Sequence, residues 1–398
     1  MPSVVLELEF TQLPDKLTDL DRYQKAFILL KYAGYPVAKL WLPVNQGMVS
    51  RAQLEDAILK NCGEAFWQRW AEDLFQINEN HPPKFSLTTT VAICTRDRPE
   101  DLRTCLQGLM LLPDDGQEIL VIDNCPSSDA TARVVAAFPR ARYVLEKRRG
   151  LDVARNRALR EARGEIVAFI DDDARPDPRW LRALLANFID PQVMCVTGLT
   201  MPMELETEAQ EFFEHYGGFG RGFQRREFAR LTFNPLFGGQ VGAGANMALR
   251  RSVVEQVGLF DEALDAGTAT HSGGDADMCS QILRSGYKII YEPAALNWHR
   301  HRRSLPELHK VIYGYGVGVY AMLTKEFLLN RRVGVVRVMW GWLRYGQLPG
   351  LFKALFNPSA SPLPAAFYWD ELRGCLAGPK AYLKARRELR EQLESEAV

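Results

Sequence analysis

From residue 88 the chain alternates between short apolar runs and longer segments whose apolar residues recur every three or four positions. TTTVAIC (88–94) leads into PEDLRTCLQGLMLL, and EILVID (118–123) into DATARVVAAF. ARYVLE (141–146) then leads into LDVARNRALREA, and EIVAFI (165–170) into PRWLRALLANF. Short apolar runs of this kind form strands, and the 3.6-residue period forms helices. Strand–helix alternation with short connections predicts a mostly parallel sheet covered by helices on both faces. In such sheets ligands gather beyond the carboxyl ends of the strands. That rule brings three loops together: Thr95-Arg96-Asp97, Asp123-Asn124 and Asp171-Asp172-Asp173.

The flanks differ in character. AFILLKYAGYPVAKLWLPV (26–44) reads as two strands around a Gly-Tyr-Pro turn, and RAQLEDAILKNCGEAFWQRWAEDLF reads as helix. HPPK (81–84) has the composition of a linker. The expected organisation is a small α+β module over 1–84, an α/β domain over 85–303, and a helical, aromatic region over 304–398. Lys and Arg together number 49, as do Asp and Glu, so the net charge is zero and no global charge points to nucleic acid. The seven cysteines are scattered, odd in number and without a CxxC pair, which suits a reducing compartment rather than a disulfide framework. MPSVVLELEF carries Glu7 and Glu9 where a signal peptide would be apolar, so a cytoplasmic location is expected. VGVVRVMWGWLRYGQLPGLF is broken by Arg337 and Arg344 and is no membrane span. Its aromatic and basic mixture suits either a helix lying on a membrane surface or a contact between domains.

The run EIVAFIDDDARPD ends an apolar strand on three adjacent carboxylates. Like charges repel, so the run is either an acidic turn in water or a place where a cation binds. In extended chain, side chains two apart share a face, so Asp171 and Asp173 converge while Asp172 points away. Hard divalent cations such as Mg2+ or Mn2+ take such oxygen ligands.

These segments, in this order, resemble the family 2 glycosyltransferases of GT-A fold. FIDDDARPDPRWL is similar to the family's Asp-x-Asp segment, VAICTRDRPEDLRTCL to its first strand and helix, and VIDNCPSSDAT to its second-strand Asp. RGLDVARNRAL, GAGANMALRRSVVEQVGLFDEAL and GGDADMCSQILRSGYKIIYEPAALNWHRH resemble the later motifs, and together they cover residues 86–303. The resemblance implies a Rossmann-like GT-A domain and a metal-dependent, inverting transfer of a sugar. The donor would be a nucleotide-sugar, with a UDP-sugar favoured, and the acceptor a glycan or lipid-linked hydroxyl.

Carried over residue by residue, Asp123 binds the nucleotide base, and Thr95 with Arg96 lines the same pocket. Asp171 holds the ribose or shares the metal, Asp173 coordinates the metal, and Asp172 belongs to the same motif. His299 completes the metal shell, with His301, two residues on, as its rival for that place. Arg155 and Asn156 hold the nucleotide side, and Asn246 lies in the glycine-rich stretch approaching the sugar. The catalytic base falls on Asp275; an Asp at a helix start also suits an N-cap, but the motif around it favours the base. Family members often carry Glu-Asp there. Gly274 leaves the Glu role empty, and Asp277 offers a second carboxylate.

Two rival functions follow from the departures. A nucleotide- or glycan-binding protein with a decayed site draws on Gly274. A sugar-nucleotide pyrophosphorylase expects a glycine-rich loop after the first strand, where this chain has TRDRPE. Gln281 and Arg284 have the spacing of a motif of processive synthases, but Ser285 stands where that motif has Trp.

Overall fold

The computed structural model describes residues 2–75, 87–331 and 333–396, so the HPPK segment lies outside the described residues. The chain builds a three-stranded sheet, a nine-stranded sheet and a closing set of helices.

The amino-terminal sheet has strands β1 (Ser3–Glu9), β3 (Lys25–Tyr32) and β4 (Tyr35–Pro43), with β1 parallel and β4 antiparallel to β3. A two-residue pair, β2 (Lys16–Leu17) with β5 (Val49–Ser50), lies beside it. The hairpin turns at Ala33 and Gly34, both with positive φ (50° and 78°), where a tight two-residue turn needs left-handed backbone. One sheet face packs under helices α1 (Arg51–Asn61) and α2 (Glu64–Leu74). From the other face Phe27 and Leu29 pack on Leu199, Leu296 and Trp298 of the large sheet. The module therefore buttresses the strand that ends at His299.

The large sheet contains β6 (Thr89–Thr95), β7 (Glu118–Asn124), β8 (Ala141–Glu146), β9 (Ile166–Ile170) and β10 (Ala174–Pro176). It is completed by β11 (Val193–Pro202), β12 (Arg226–Phe228), β13 (Asn246–Arg250) and β14 (Lys288–His299). Its order is β10-β14-β11-β13-β9-β6-β7-β8, with β12 on the free side of β14. β8, β7, β6 and β9 run parallel, and β13 is antiparallel to both neighbours. Every residue of β9 and of β11 is buried, as a sheet covered on both faces requires.

One apolar core lies under α3 (Pro99–Met110), α4 (Ala130–Ala136) and α6 (Trp180–Leu185). The opposite core lies under α5 (Leu151–Glu161) and α9 (Gly274–Arg284), with the one-turn α8 (Val253–Gln256) at its edge. Pro99 opens α3 at a position where its missing N–H costs nothing. α7 (Glu208–Tyr216) follows β11 and lies over the carboxyl end of β14.

Beyond β14, α10 (Leu305–Asn330) begins at a Ser304–Glu307 capping box and packs along α13 (Ala365–Glu396). The two backbones approach so closely that a Cβ on Gly374 would lie 2.1 Å from the Tyr313 carbonyl oxygen. Between them run α11 (Gly334–Gly341), a π turn at Trp342–Gln347 and α12 (Leu348–Phe356). No described helix is long and apolar enough to cross a membrane. Gln281 and Arg284, which mimic a synthase motif in sequence, bond Asp277 and the buried Glu326. That spacing serves helix packing.

Candidate active site

Three strand ends deliver the acidic cluster. β9 ends at Ile170, and the chain passes through Asp171 and Asp172 to Asp173 before entering β10. β10 pairs antiparallel with β14 in a register that sets Ala174 opposite His299. His299 Nε2 therefore lies 3.0 Å from Asp173 Oδ1 and 3.8 Å from Asp171 Oδ2. One ligand atom from each of the three residues falls within 4.8 Å of the others. Asp172 turns away from this group: Thr95 Oγ1 donates to it at 2.7 Å and Arg98 Nη1 at 3.1 Å. Arg98 also donates to Asp173 at 2.9 Å.

The charges explain the titration. Burial and the Asp173 charge push Asp171 up, and the same causes push Asp172 up to about 6 against the pull of Arg98. Burial also disfavours the Asp173 charge, yet His299 and Arg98 hold that carboxyl well below its usual range. Burial lowers His299, but the Asp173 charge and hydrogen bond outweigh it and leave the imidazole raised.

His301 faces the other way. Its Nε2 lies 2.9 Å from Glu214 Oε1, and its ring packs on Phe213 and Phe219. Its Nδ1 is 3.3 Å from His299 Nδ1. Ionised Glu214 only accepts, so His301 donates from Nε2 and accepts at Nδ1. His299 must then donate from its own Nδ1, which points Nε2 at Asp173 and Asp171. Without a cation, a proton on Nε2 separates imidazole from carboxylate. With Nε2 deprotonated, two lone pairs would face each other at 3.0 Å, an arrangement that a divalent cation resolves. The donor set of two carboxylates and one oriented imidazole fits Mn2+ or Mg2+.

Asp123 is the penultimate residue of β7, level with Thr95 in the register of β6 and β7. Tyr143 OH donates to its Oδ2 at 2.9 Å, while Oδ1 has no partner among the described residues. Burial pushes its carboxyl up, opposed by the Tyr143 and Thr131 hydrogen bonds. Asp97, with φ 55°, accepts from Ser127 N and Oγ at 2.8 Å, which clips the loop after β6 to the loop after β7. Arg96 pairs with its neighbour Asp97, at 3.6 Å.

Asp275 is the second residue of α9, and the helix N-cap is Gly273 in left-handed backbone. Its Oδ2 accepts from Gly244 N and its Oδ1 from Ala276 N, both at 2.7 Å, and the residue is partly exposed. Burial pushes Tyr315 of α10 up, and the charges of Asp275 and Asp171 push the same way. Arg155 feels both charges too, so Asp275 borders the space that the Asp171 cluster faces.

Four expected site residues have other partners. Asp277 is two residues on from Asp275, and at 100° per helical residue its side chain points 200° away. It is buried against α10, accepting from Lys325 Nζ at 2.6 Å and Gln281 Nε2 at 2.7 Å. Asn246 spends its amide on Trp180 Nε1 and the Leu199 and Ala295 carbonyls, pinning three strands together. Asn156 holds both backbone groups of Phe260. Arg155 bridges Asp152 at 2.9 Å and Asp265 at 2.8 Å. Arg155 and Asn156 thus clamp the 260–265 segment onto α5.

Sequence reasoning passed over Asp152, which lies inside the RGLDVARNRAL motif three residues before Arg155. The residue is fully buried, and its Oδ2 has no hydrogen-bond partner among the described residues. A Cβ on Gly274 would lie 1.9 Å from that oxygen. Glycine at 274 therefore makes room for a carboxylate delivered by α5 beneath the helix turn that carries Asp275. Arg98 and Glu214 were also passed over. Arg98 directly precedes Pro99, whereas nothing near Glu214 in sequence signals its partner.

Comparison with known proteins agrees with this architecture. Residues 90–258 match Glycosyl transferase family 2. The central domain is a family 2 glycosyltransferase domain. The chain is 30% identical over 233 residues to the pre-mycofactocin glycosyltransferase of Mycobacterium tuberculosis, covering 56% of this chain and 46% of that protein. The chain thus spans about half the length of that relative. It is 26% identical over 270 residues to the glycosyltransferase AglE of Haloferax volcanii, covering 65% of this chain and 81% of that protein. The mannosyltransferase PcManGT of Pyrobaculum calidifontis, solved with GDP-Man and Mn2+, superposes with a TM-score of 0.51 at 17% identity. That match covers 79% of this chain and 94% of the mannosyltransferase, and it shows a shared GT-A fold.

Proposed function

We propose that the protein is a glycosyltransferase that moves a sugar from a nucleoside diphosphate sugar to a hydroxyl of a glycan or lipid-linked acceptor, inverting the anomeric carbon. The convergence of Asp171, Asp173 and His299 at the carboxyl edge of a family 2 domain carries this reading. Asp171, Asp173 and His299 hold the divalent cation, Mn2+ or Mg2+. When bound, it supplies Lewis-acid stabilisation of the diphosphate leaving group.

In this reading the free Oδ1 of Asp123 accepts from the nucleotide base, with uracil favoured, and the loop of Thr95 and Arg96 lines the base pocket. Asp172 braces the cluster through Thr95 and Arg98. Asp275 takes the proton from the acceptor hydroxyl as it attacks. The bonds from Gly244 N and Ala276 N fix its carboxylate for that task. The seven unpaired cysteines support a cytoplasmic reaction, in polysaccharide or related glycan synthesis.

The test is release of nucleoside diphosphate from a panel of UDP- and GDP-sugars with Mn2+, for wild type and Asp275→Asn. The reading expects turnover to fall roughly a hundredfold or more, with donor binding kept. Equal turnover in the two proteins contradicts the assignment of Asp275.

A further inference from the structure

The helices between α10 and α13 carry a surface that the fold leaves uncovered. On its inner side α11 packs Val335, Val338 and Met339 against Met322 and Leu323 of α10 and against Ala276, the neighbour of Asp275. On the outer side Val333, Val336, Trp340, Tyr345, Phe352 and Phe356 are all exposed, Tyr345 by 77% and Phe356 by 82%. Steps of three and four residues keep a helical stripe on one face, and the π turn absorbs the five-residue step from Trp340 to Tyr345. The helical run from Gly334 to Phe356 is about 34 Å long at 1.5 Å per residue. Exposed apolar residues in a continuous band of this length mark an interaction site.

Charge identifies the partner. Between Glu326 and Asp370 the chain has five basic residues and no acidic one, although the two kinds balance over the whole sequence. Arg337, Arg344 and Lys353 are exposed beside the apolar stripe. Two copies paired through this stripe would set like charges together, and no described helix qualifies as a membrane span. A helix with an aromatic face and basic flanks lies in the interface of an anionic bilayer.

We propose that α11 and α12 form a docking surface for an anionic phospholipid membrane. Trp340, Tyr345, Phe352 and Phe356 enter the headgroup boundary, and Arg337, Arg344 and Lys353 meet lipid phosphates. Through Ala276, α11 supports the turn bearing Asp275, so docking presents the acceptor side of the cleft to a lipid-linked substrate. That last step rests on the glycosyltransferase reading, whereas the binding does not.

The test is flotation of the full chain with vesicles of phosphatidylcholine alone, or of two parts phosphatidylcholine to one part phosphatidylglycerol. Wild type is expected on the phosphatidylglycerol vesicles and to leave them at high salt. Each basic residue near the surface contributes roughly fivefold in partitioning, so Arg337→Glu/Arg344→Glu/Lys353→Glu should lower binding by roughly a hundredfold or more. Trp340→Ser/Phe352→Ser/Phe356→Ser should also release the protein, with the wild-type melting temperature retained in both variants. Absence of wild-type binding, or unchanged binding by both variants, overturns the proposal. So does a wild-type dimer that the apolar substitutions dissociate. A nucleotide melting shift, measured without vesicles, reports separately on the glycosyltransferase reading.

Discussion

Gly274→Ala tests whether the Asp152 carboxylate fills the space beneath Asp275. The added methyl would lie 1.9 Å from Asp152 Oδ2, 2.5 Å from its Cγ and 2.6 Å from its Oδ1. Asp152 cannot swing aside, because Arg155 holds its Oδ1 at 2.9 Å and no part of the residue reaches solvent. Relief therefore requires α5 or the first turn of α9 to shift by about 1 Å, and overpacking of this kind costs about 1–3 kcal/mol. Gly274 has no positive φ, so alanine would otherwise be tolerated or stabilising by about 0.5–1 kcal/mol. The clash outweighs that gain. In a double-mutant cycle with Asp152→Gly, the loss should be largely relieved, a coupling of about 1–3 kcal/mol. Urea unfolding of the four proteins, followed by circular dichroism, reads both quantities. Gly274→Ala within about 0.5 kcal/mol of wild type, with an additive cycle, would refute the argument.

Three further predictions concern the surrounding network. Glu214→Leu removes the acceptor that orients His301 and, through it, His299, so Mn2+ affinity measured by calorimetry should fall roughly 10- to 100-fold; equal affinity in a folded variant would show that the relay does not orient the ligand. Lys325→Met leaves the buried Asp277 carboxylate without its cation and should cost about 3–5 kcal/mol in urea unfolding, most of it recovered by Asp277→Leu/Lys325→Met. A double variant no more stable than the single would contradict that reading. Glu118 is held below the usual glutamate range: burial opposes its charge, but hydrogen bonds from Thr90, Arg163 N and Arg142 outweigh it. Its folded value is depressed, so its contribution is complete above the unfolded value and is lost as pH falls through the folded one. The stability gap to Glu118→Gln should accordingly be present at pH 7 and narrow as pH falls below the ordinary glutamate value of about 4.3; a gap unchanged at pH 3 would refute it.

β9 was legible because a strand buried on both faces reads as an unbroken apolar run, whereas β11, equally buried but interrupted by Thr197, Gly198 and Thr200, was not read as a strand. The convergence of Asp171 and Asp173 was legible for a related reason, the two-residue period of extended chain. Which histidine faces them was not, because it depends on the register of β10 with β14 and on Glu214, 87 residues away from His301. The same limit applies to Asn246, Asn156, Arg155 and Asp277. Each is polar and lies in a matching motif, but each has a partner distant in sequence: strand carbonyls for Asn246, Phe260 for Asn156, Asp265 for Arg155 and Lys325 for Asp277. Their burial needs those partners, and only the fold supplies them. Asp152 was hidden by the converse effect, since the cue was the absence of a side chain at Gly274.

The measurement that bears most directly on the central claim is the melting temperature against UDP, GDP and their sugars, with and without Mn2+, for wild type and Asp173→Ala. A ligand at a hundred times its Kd adds about 2.7 kcal/mol of stability, enough to resolve. One nucleotide is expected to stabilise wild type only with Mn2+, and Asp173→Ala to abolish the shift while remaining folded. A nucleotide shift that is equal without metal, or retained in Asp173→Ala, would contradict the metal-bound donor site.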